Sequence, residues 1–386
     1  MKTSILKFKQ VAVMTGMVLS GVGAITPANA LTFNFIRGAS ITNEAYAGFQ
    51  EAGALWSSLF TDNVTVNIKI DYRALDPGTL GAAGSSEQSY SYRDVYNALN
   101  SDRKSTDDSL AVSNLSNSSA FGMLINRTGN NPNGSGSATP YVDGNTDDNN
   151  STITMNTANA RALGLTTDPT ASGADAEITF SSLFNWDFDR TDGTITANTY
   201  DFVGVAAHEI GHALGFVSGV DVLDENSPYN DPDTGTTYYA ADYQFTNVST
   251  LDLFRYSDLS KASSVIDWTA DTRDKYFSLE GGANPIALFS NGANFGGGNP
   301  GRQASHWRDS LQLGIMDPTT ARGELLSISE NDLRAFDVIG WDRIPVNNNA
   351  TAVPEPENFI GTFIFAAFGA KLVLKRRQKL VESSNK

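Results

Sequence analysis

Two stretches near the start of the chain alternate apolar and polar residues with period two. Leu31-Thr32-Phe33-Asn34-Phe35 and Val64-Thr65-Val66-Asn67-Ile68-Lys69-Ile70-Asp71-Tyr72 both predict strands. Between them, Glu44 to Phe60 repeats at helical spacing and predicts a helix. A polar region from Gly81 to Ser119 follows, with at least one helix expected around Tyr92 to Leu99. Asn130 to Asn150 is rich in Gly, Asn, Asp and Ser and reads as a long surface loop. Ile153 to Asn156 and Glu177 to Ser181 predict further strands, leading through Asn185-Trp186-Asp187-Phe188-Asp189 toward a strongly apolar helix. No internal repeat is visible.

That helix carries the chain's most telling chemistry. Asp201 is a candidate N-cap, and Val203, Ala207, Ile210 and Leu214 fall on one apolar face. Gly215 stands where the helix should stop. His208-Glu209-Ile210-Gly211-His212 is an H-E-x-x-H motif and uses two of only three histidines present. Side chains four apart on a helix share a face, so two imidazoles can reach one metal ion with Glu209 beside its open side. A zinc ion held this way brings water into the nucleophilic range near neutral pH, and a glutamate can take the proton.

A catalytic zinc needs three protein ligands. The usual metzincin spacing, H-E-x-x-H-x-x-G-x-x-H, would place the third at Ser218, a poor zinc ligand. Asp221 and Glu225 lie nearby without a supporting spacing. The remaining histidine is His306, in Ala304-Ser305-His306-Trp307-Arg308, followed by Gly314-Ile315-Met316-Asp317-Pro318. Here the sequence resembles the leishmanolysin-like metzincins, in which a long insertion precedes the third histidine and a turn carrying a methionine lies beneath the metal. The resemblance covers roughly Tyr200 to Phe216 and Ala304 to Asp342. It implies His208, His212 and His306 as ligands of one catalytic Zn2+, Glu209 as the catalytic base and Met316 as the Met-turn residue. It also implies an α+β fold of two lobes: a mixed upper sheet, the active-site helix, an insertion over 219–301, and a lower lobe with the Met-turn and a C-terminal helix. Ser329-Glu330-Asn331-Asp332 is a suitable cap for that last helix, which runs through Leu333, Phe336 and Ile339 to Gly340. Unlike leishmanolysins, the chain has no cysteine and little length for a pro-segment before its first strand.

Within the insertion, Tyr238, Tyr239, Tyr243, Phe245 and Phe254 suggest a satellite core rather than a cleft lining. Tyr276-Phe277-Ser278-Leu279 and Ala287-Leu288-Phe289 are strand-like, and Gly292 to Gly301 is a glycine-rich approach to His306.

Both ends read as addresses. Residues 1–30 combine Lys2, Lys7 and Lys9, an apolar stretch from Val11 to Ile25 and the cleavage pattern Ala28-Asn29-Ala30, as a secretory signal does. After the catalytic domain over 31–345 and a linker over 346–352, the segment 353–386 holds Val353-Pro354-Glu355-Pro356, a short apolar run from Phe359 to Leu374 and Lys375-Arg376-Arg377. This order resembles the PEP-CTERM sorting signals of Gram-negative and cyanobacterial surface proteins. The resemblance implies transient membrane anchorage, an exosortase-type sorting enzyme as partner, and a place at the cell envelope or outside the cell.

A formal net charge of −16 argues against nucleic acid or an anionic membrane surface as partner. The surplus acids leave room for calcium. Asp187, Asp189 and Asp192-Gly193 resemble a loose calcium loop, but a turn with Asp192-Gly193 at its tip fits better, and Asp143, Asp147 and Asp148 carry still less pattern, so no Ca2+ site is assigned. Absence of cysteine excludes thiolate ligands and disulfide support. The expected activity is that of an exported zinc metalloendopeptidase acting on polypeptide laid along an edge strand, with Ile153–Asn156 or Glu177–Ser181 as candidate edges. Two alternatives stay open: a non-catalytic zinc-binding surface or matrix protein on a peptidase fold, and a zinc hydrolase of non-peptide amides or esters.

Overall fold

The computed structural model describes residues 31–170, 173–230, 236–295 and 301–345. The expected secretory signal, linker and sorting tail lie outside the described residues. Among those described, no helix is long and apolar enough to cross a membrane.

The chain runs β1 (Thr32–Arg37), α1 (Asn43–Ser57), β2 (Thr65–Arg73), β3 (Gly81–Ser85), β4 (Glu87–Ser91), α2 (Tyr92–Asp102) and α3 (Thr106–Ser113). Next come β5 (Met123–Ile125), β6 (Tyr141–Asp143), α4 (Asp148–Ser151), β7 (Thr152–Asn156), α5 (Thr157–Ala162), β8 (Ala176–Ser181), β9 (Trp186–Asp187) and β10 (Tyr200–Asp201). The motif helix α6 (Phe202–Leu214) precedes α7 (Val220–Asn226), β11 (Tyr229–Asn230), β12 (Thr237–Tyr238), β13 (Arg255–Tyr256), α8 (Asp258–Ala262), β14 (Ile266–Asp267), β15 (Lys275–Phe277), β16 (Ala287–Phe289) and the final helix α9 (Glu330–Val338). This is an α+β architecture.

The largest sheet has the order β1-β2-β8-β3, with the first three strands parallel and β3 antiparallel at the edge. Helices α1 and α6 pack together, joined to the sheet by an aromatic core. Phe49 of α1, Phe180 of β8 and Phe202 of α6 meet with ring centroids 4.9–5.4 Å apart. Close approach requires Gly48, where a Cβ would collide with the Phe202 ring. Trp56 of α1 donates its indole N–H to the Ala207 carbonyl in the middle of α6 (2.9 Å), fixing the height of one helix on the other.

Two expectations need correction. Glu177–Ser181 is no edge, because β8 is hydrogen-bonded to β2 on one side and β3 on the other. Ile153–Asn156 is also flanked, by β4 and by the Thr154 amide bond to the Val248 carbonyl (2.9 Å). The edge of the main sheet nearest α6 is β3, in the polar region where the sequence predicts at least one helix. Nor is 130–150 a plain surface loop. It contains β6 and α4, and Asn131, Asp143, Asn149 and Asn150 are buried. Their amides take over backbone pairing: Asn131 donates to the Ser137 and Thr139 carbonyls, and Asn150 to those of Phe121 and Asp143. A turn-like composition concealed polar side chains working inside the fold.

The stretch 219–301 is woven into the rest. Its β14 pairs in parallel with β5, and β5 pairs with β6, while β13, β15 and β16 form a second small sheet. Phe245 and Phe254 are buried, as a satellite core requires, whereas Tyr238 and Tyr243 are exposed.

Candidate metal centre

Helix α6 begins where expected. The Asp201 carboxylate accepts from the Gly204 amide (2.8 Å), and the same side chain receives the Leu326 amide (3.0 Å). It ends at Gly215, whose φ of 116° is the left-handed stop that glycine adopts freely. Every residue of α6 except half-buried His212 is buried, so the histidine face is enclosed as well as the apolar one. Between the histidines, a Cβ on Gly211 would overlap the Met316 sulfur, so this methionine lies directly against the motif.

His306 arrives on an irregular segment pinned to β16. The Ser290 amide donates to the His306 carbonyl (2.9 Å), and the Arg308 amide donates to Leu288 (2.7 Å). The Trp307 amide donates to the Met316 carbonyl (3.0 Å), tying the third histidine to the methionine turn. His208, His212 and His306 thereby come together, each able to offer one ring nitrogen to a metal ion, although His212 and His306 are 94 residues apart.

The tautomers follow from the partners. Carbonyl oxygens only accept, so His208 Nδ1–H donates to Ile315 (2.7 Å), His212 Nδ1–H to Phe216 (2.8 Å) and His306 Nδ1–H to Gln303 (3.3 Å). The Nε2 lone pairs then face one another, at 3.1 Å between His212 and His208 and 3.2 Å between His212 and His306. Burial pushes His208 down to about 3 and His212 to about 4, and it holds His306 well below the usual histidine range, with the neighbouring imidazoles adding to the effect. Three neutral imidazoles aiming lone pairs at one point fit a cation.

Glu209, which follows His208 on α6, is buried as well. Its Oε1 lies 3.3 Å from where a Gly81 Cβ would stand, so the glutamate faces the first residue of edge strand β3. Burial alone pushes its carboxyl up to about 8.

The rejected ligand positions have other work. Ser218 donates its hydroxyl to Asp252 (2.6 Å). Asp221 accepts from the Ala304 and Ser305 amides and the Ser305 hydroxyl. Glu225 is exposed. The aspartates at 187, 189 and 192 form turns, with Asp189 accepting from Thr191 and Asp192 from Thr194. Among the described residues, the three histidines are the one group of three or more His, Asp or Glu side chains placed to share an ion.

Two residues that serve the site were not singled out for it by sequence. Asp332, expected only as part of a cap, also accepts from Trp307, Ile315 and Met316. Ser305 was noted only as a neighbour of the third histidine. Nothing in the local pattern marks such long-range acceptors. Comparisons with protein-family models, with curated proteins and with solved structures each give no match.

Proposed function

We propose that the chain is an exported zinc-dependent endopeptidase with a metzincin-like catalytic domain. The observation that carries this reading is the convergence of three Nε2 atoms, each with its Nδ1 hydrogen-bonded to a backbone carbonyl, at a helix whose buried Glu209 follows the first of these histidines. His208, His212 and His306 would hold Zn2+, leaving a position open. Bound there, zinc supplies Lewis acidity, bringing water into the nucleophilic range at neutral pH and polarising the scissile carbonyl.

The chain's own groups supply the rest. Glu209 accepts a proton from the attacking water and returns it to the departing amine. With a cation held by the histidines, Glu209 would be favoured as the carboxylate, against the upward push of burial. The substrate lies extended along β3, whose outer edge offers backbone pairing and whose first residue, Gly81, lies against Glu209. The Met316 turn supports the histidines from below. Export, and anchorage through the C-terminal tail, rest on the sequence resemblance.

The test is hydrolysis of casein by the purified protein and by Glu209→Ala, with zinc content measured in both. Hydrolysis by the parent alone, with zinc in each, supports the peptidase. Zinc in both without hydrolysis favours a zinc-binding surface protein, and zinc in neither removes the basis of the reading.

A further inference from the structure

We propose that Asp221 is a positioning residue for the third histidine, its carboxylate latching the backbone immediately ahead of His306. The inference rests on reading the three histidines as metal ligands. His208 and His212 are held by the regular geometry of α6, whereas His306 sits on a segment without helix or strand, so tertiary contacts must set its position. Its own Nδ1 bond is the longest of the three at 3.3 Å and reaches only to Gln303, within the same turn. The backbone on either side of the ring therefore decides where Nε2 points.

On the far side that hold comes from Ser290 and Met316. On the near side it comes from the stretch just after α6. Asp221 accepts from the Ala304 amide (2.6 Å), the Ser305 amide (3.1 Å) and the Ser305 hydroxyl (2.5 Å). The Ser305 Oγ in turn accepts from the Ser218 amide (2.8 Å). The bracket is anchored behind by Asp252, which receives Ser218 Oγ, the Gly219 and Ser249 amides and the Trp268 indole. Gly219 packs so tightly on the Asn247 carbonyl that a Cβ there has no room.

All three groups facing Asp221 donate. Only a carboxylate accepts from them all, and enclosure makes each such bond strong. In the commoner metzincin spacing the stretch after the helix would supply the third ligand itself at position 218. In this chain the same stretch instead grips the distant segment that brings the ligand in.

The experiment compares the full chain with Asp221→Asn and the milder Ser305→Ala. Zinc affinity is measured by chelator competition, metal geometry by the visible spectrum after cobalt substitution, and backbone protection at Ala304 and Ser305 by hydrogen exchange. Asp221→Asn should bind zinc about 10- to 100-fold more weakly, the range for loss of a group that orients a ligand. It should also weaken the four-coordinate cobalt absorption and expose both amides to exchange. Ser305→Ala keeps both amide bonds and should lose about 3- to 10-fold, below the range for Asp221→Asn. Zinc affinity unchanged in Asp221→Asn, even with lowered fold stability, overturns the assignment, as does rapid exchange of these amides in the parent protein. Should Asp221→Asn fail to fold, an unchanged zinc affinity in Ser305→Ala overturns it equally. Failure of the metal reading itself shows separately, as a parent protein that binds no zinc while the exchange contrast still reports on the latch.

Discussion

Replacing Asp332 by asparagine should cost the metal-free protein about 2–3 kcal/mol, a figure that follows from how the carboxylate is shared. Asp332 is fully buried, and each of its oxygens serves two N–H groups. Oδ2 accepts from Ser329 (2.7 Å) and Ile315 (2.8 Å), and Oδ1 from the Trp307 indole (2.8 Å) and the Met316 amide (3.3 Å). An amide in its place satisfies one pair and turns its NH2 toward the other. The better orientation sacrifices the Oδ1 pair, because the Met316 bond is already long. A buried donor left facing a donor costs about 1–3 kcal/mol, and two groups are so placed. Removing a carboxylate that burial holds above its ordinary range returns part of that cost. Urea unfolding measures the difference. Asp337→Asn is the control, since that acid on the same helix accepts from the Ser105 hydroxyl and asparagine can still accept from it. A change below about 0.5 kcal/mol for Asp332→Asn would refute the accounting. If the three histidines hold zinc, the effect should reach the metal too: the groups that lose their acceptor are Trp307, next to His306, and Met316, against Gly211, so zinc binding should weaken.

Gly211→Ala sets two effects against each other. Alanine favours the helix by about 1 kcal/mol, but overpacking against the Met316 sulfur costs about 1–3 kcal/mol, so a net loss near 1 kcal/mol is expected in thermal melts. A net gain would mean that Met316 is not seated against the motif. Asp102→Asn should stabilise the protein at pH 8 and do nothing at pH 3. Burial, then the Asp342 carboxylate, raises Asp102 from 3.8 to about 7, and its place at the end of α2 is also unfavourable for a negative charge. Above 7 the folded state carries the buried charge. Between 7 and 3.8 the folded protein keeps a proton that the unfolded chain has lost, so that cost fades as pH falls and is absent below 3.8. Denaturant midpoints of both proteins at the two pH values decide it, and a pH-independent difference would contradict the assignment.

The motif helix was legible because local rules fix both its ends. Asp201 caps the start, Gly215 takes a positive φ at the stop, and the apolar positions between them repeat as a helix must. Strand β2 was legible for a similar reason: Val66, Ile68 and Ile70 point to the core while alternate residues do not. The edge strand β3 was not. Its sequence, Gly-Ala-Ala-Gly-Ser, lacks the alternating bulk that marks a strand, because Phe180 and Glu209 crowd the Gly81 position and exclude larger side chains. His306 could be singled out because the chain has only three histidines. Asp221 could not, since its three donors come from 83 and 84 residues away and leave no local trace.

The same long-range acceptors explain how a chain without cysteine builds a fixed site from irregular backbone. Between β16 and α9 the described chain has no regular element, yet it carries both His306 and Met316. Buried amides in such a stretch need acceptors that no ladder provides. Carboxylates supply them: Asp224 receives the Asn294 and Phe295 amides, Asp221 those of Ala304 and Ser305, and Asp332 those of Ile315 and Met316. Part of the acidic surplus is therefore internal scaffolding, not a reserve of calcium ligands or a solvated face. A carboxylate that accepts two amides does locally what a cross-link does, holding two distant segments in register, and it does so only while ionised and enclosed. A fold without disulfides then comes with a specific vulnerability. Neutralising these few aspartates one at a time should loosen His306 and the Met316 turn before it unfolds the main sheet, whose strands β1, β2, β8 and β3 are held by their own ladders.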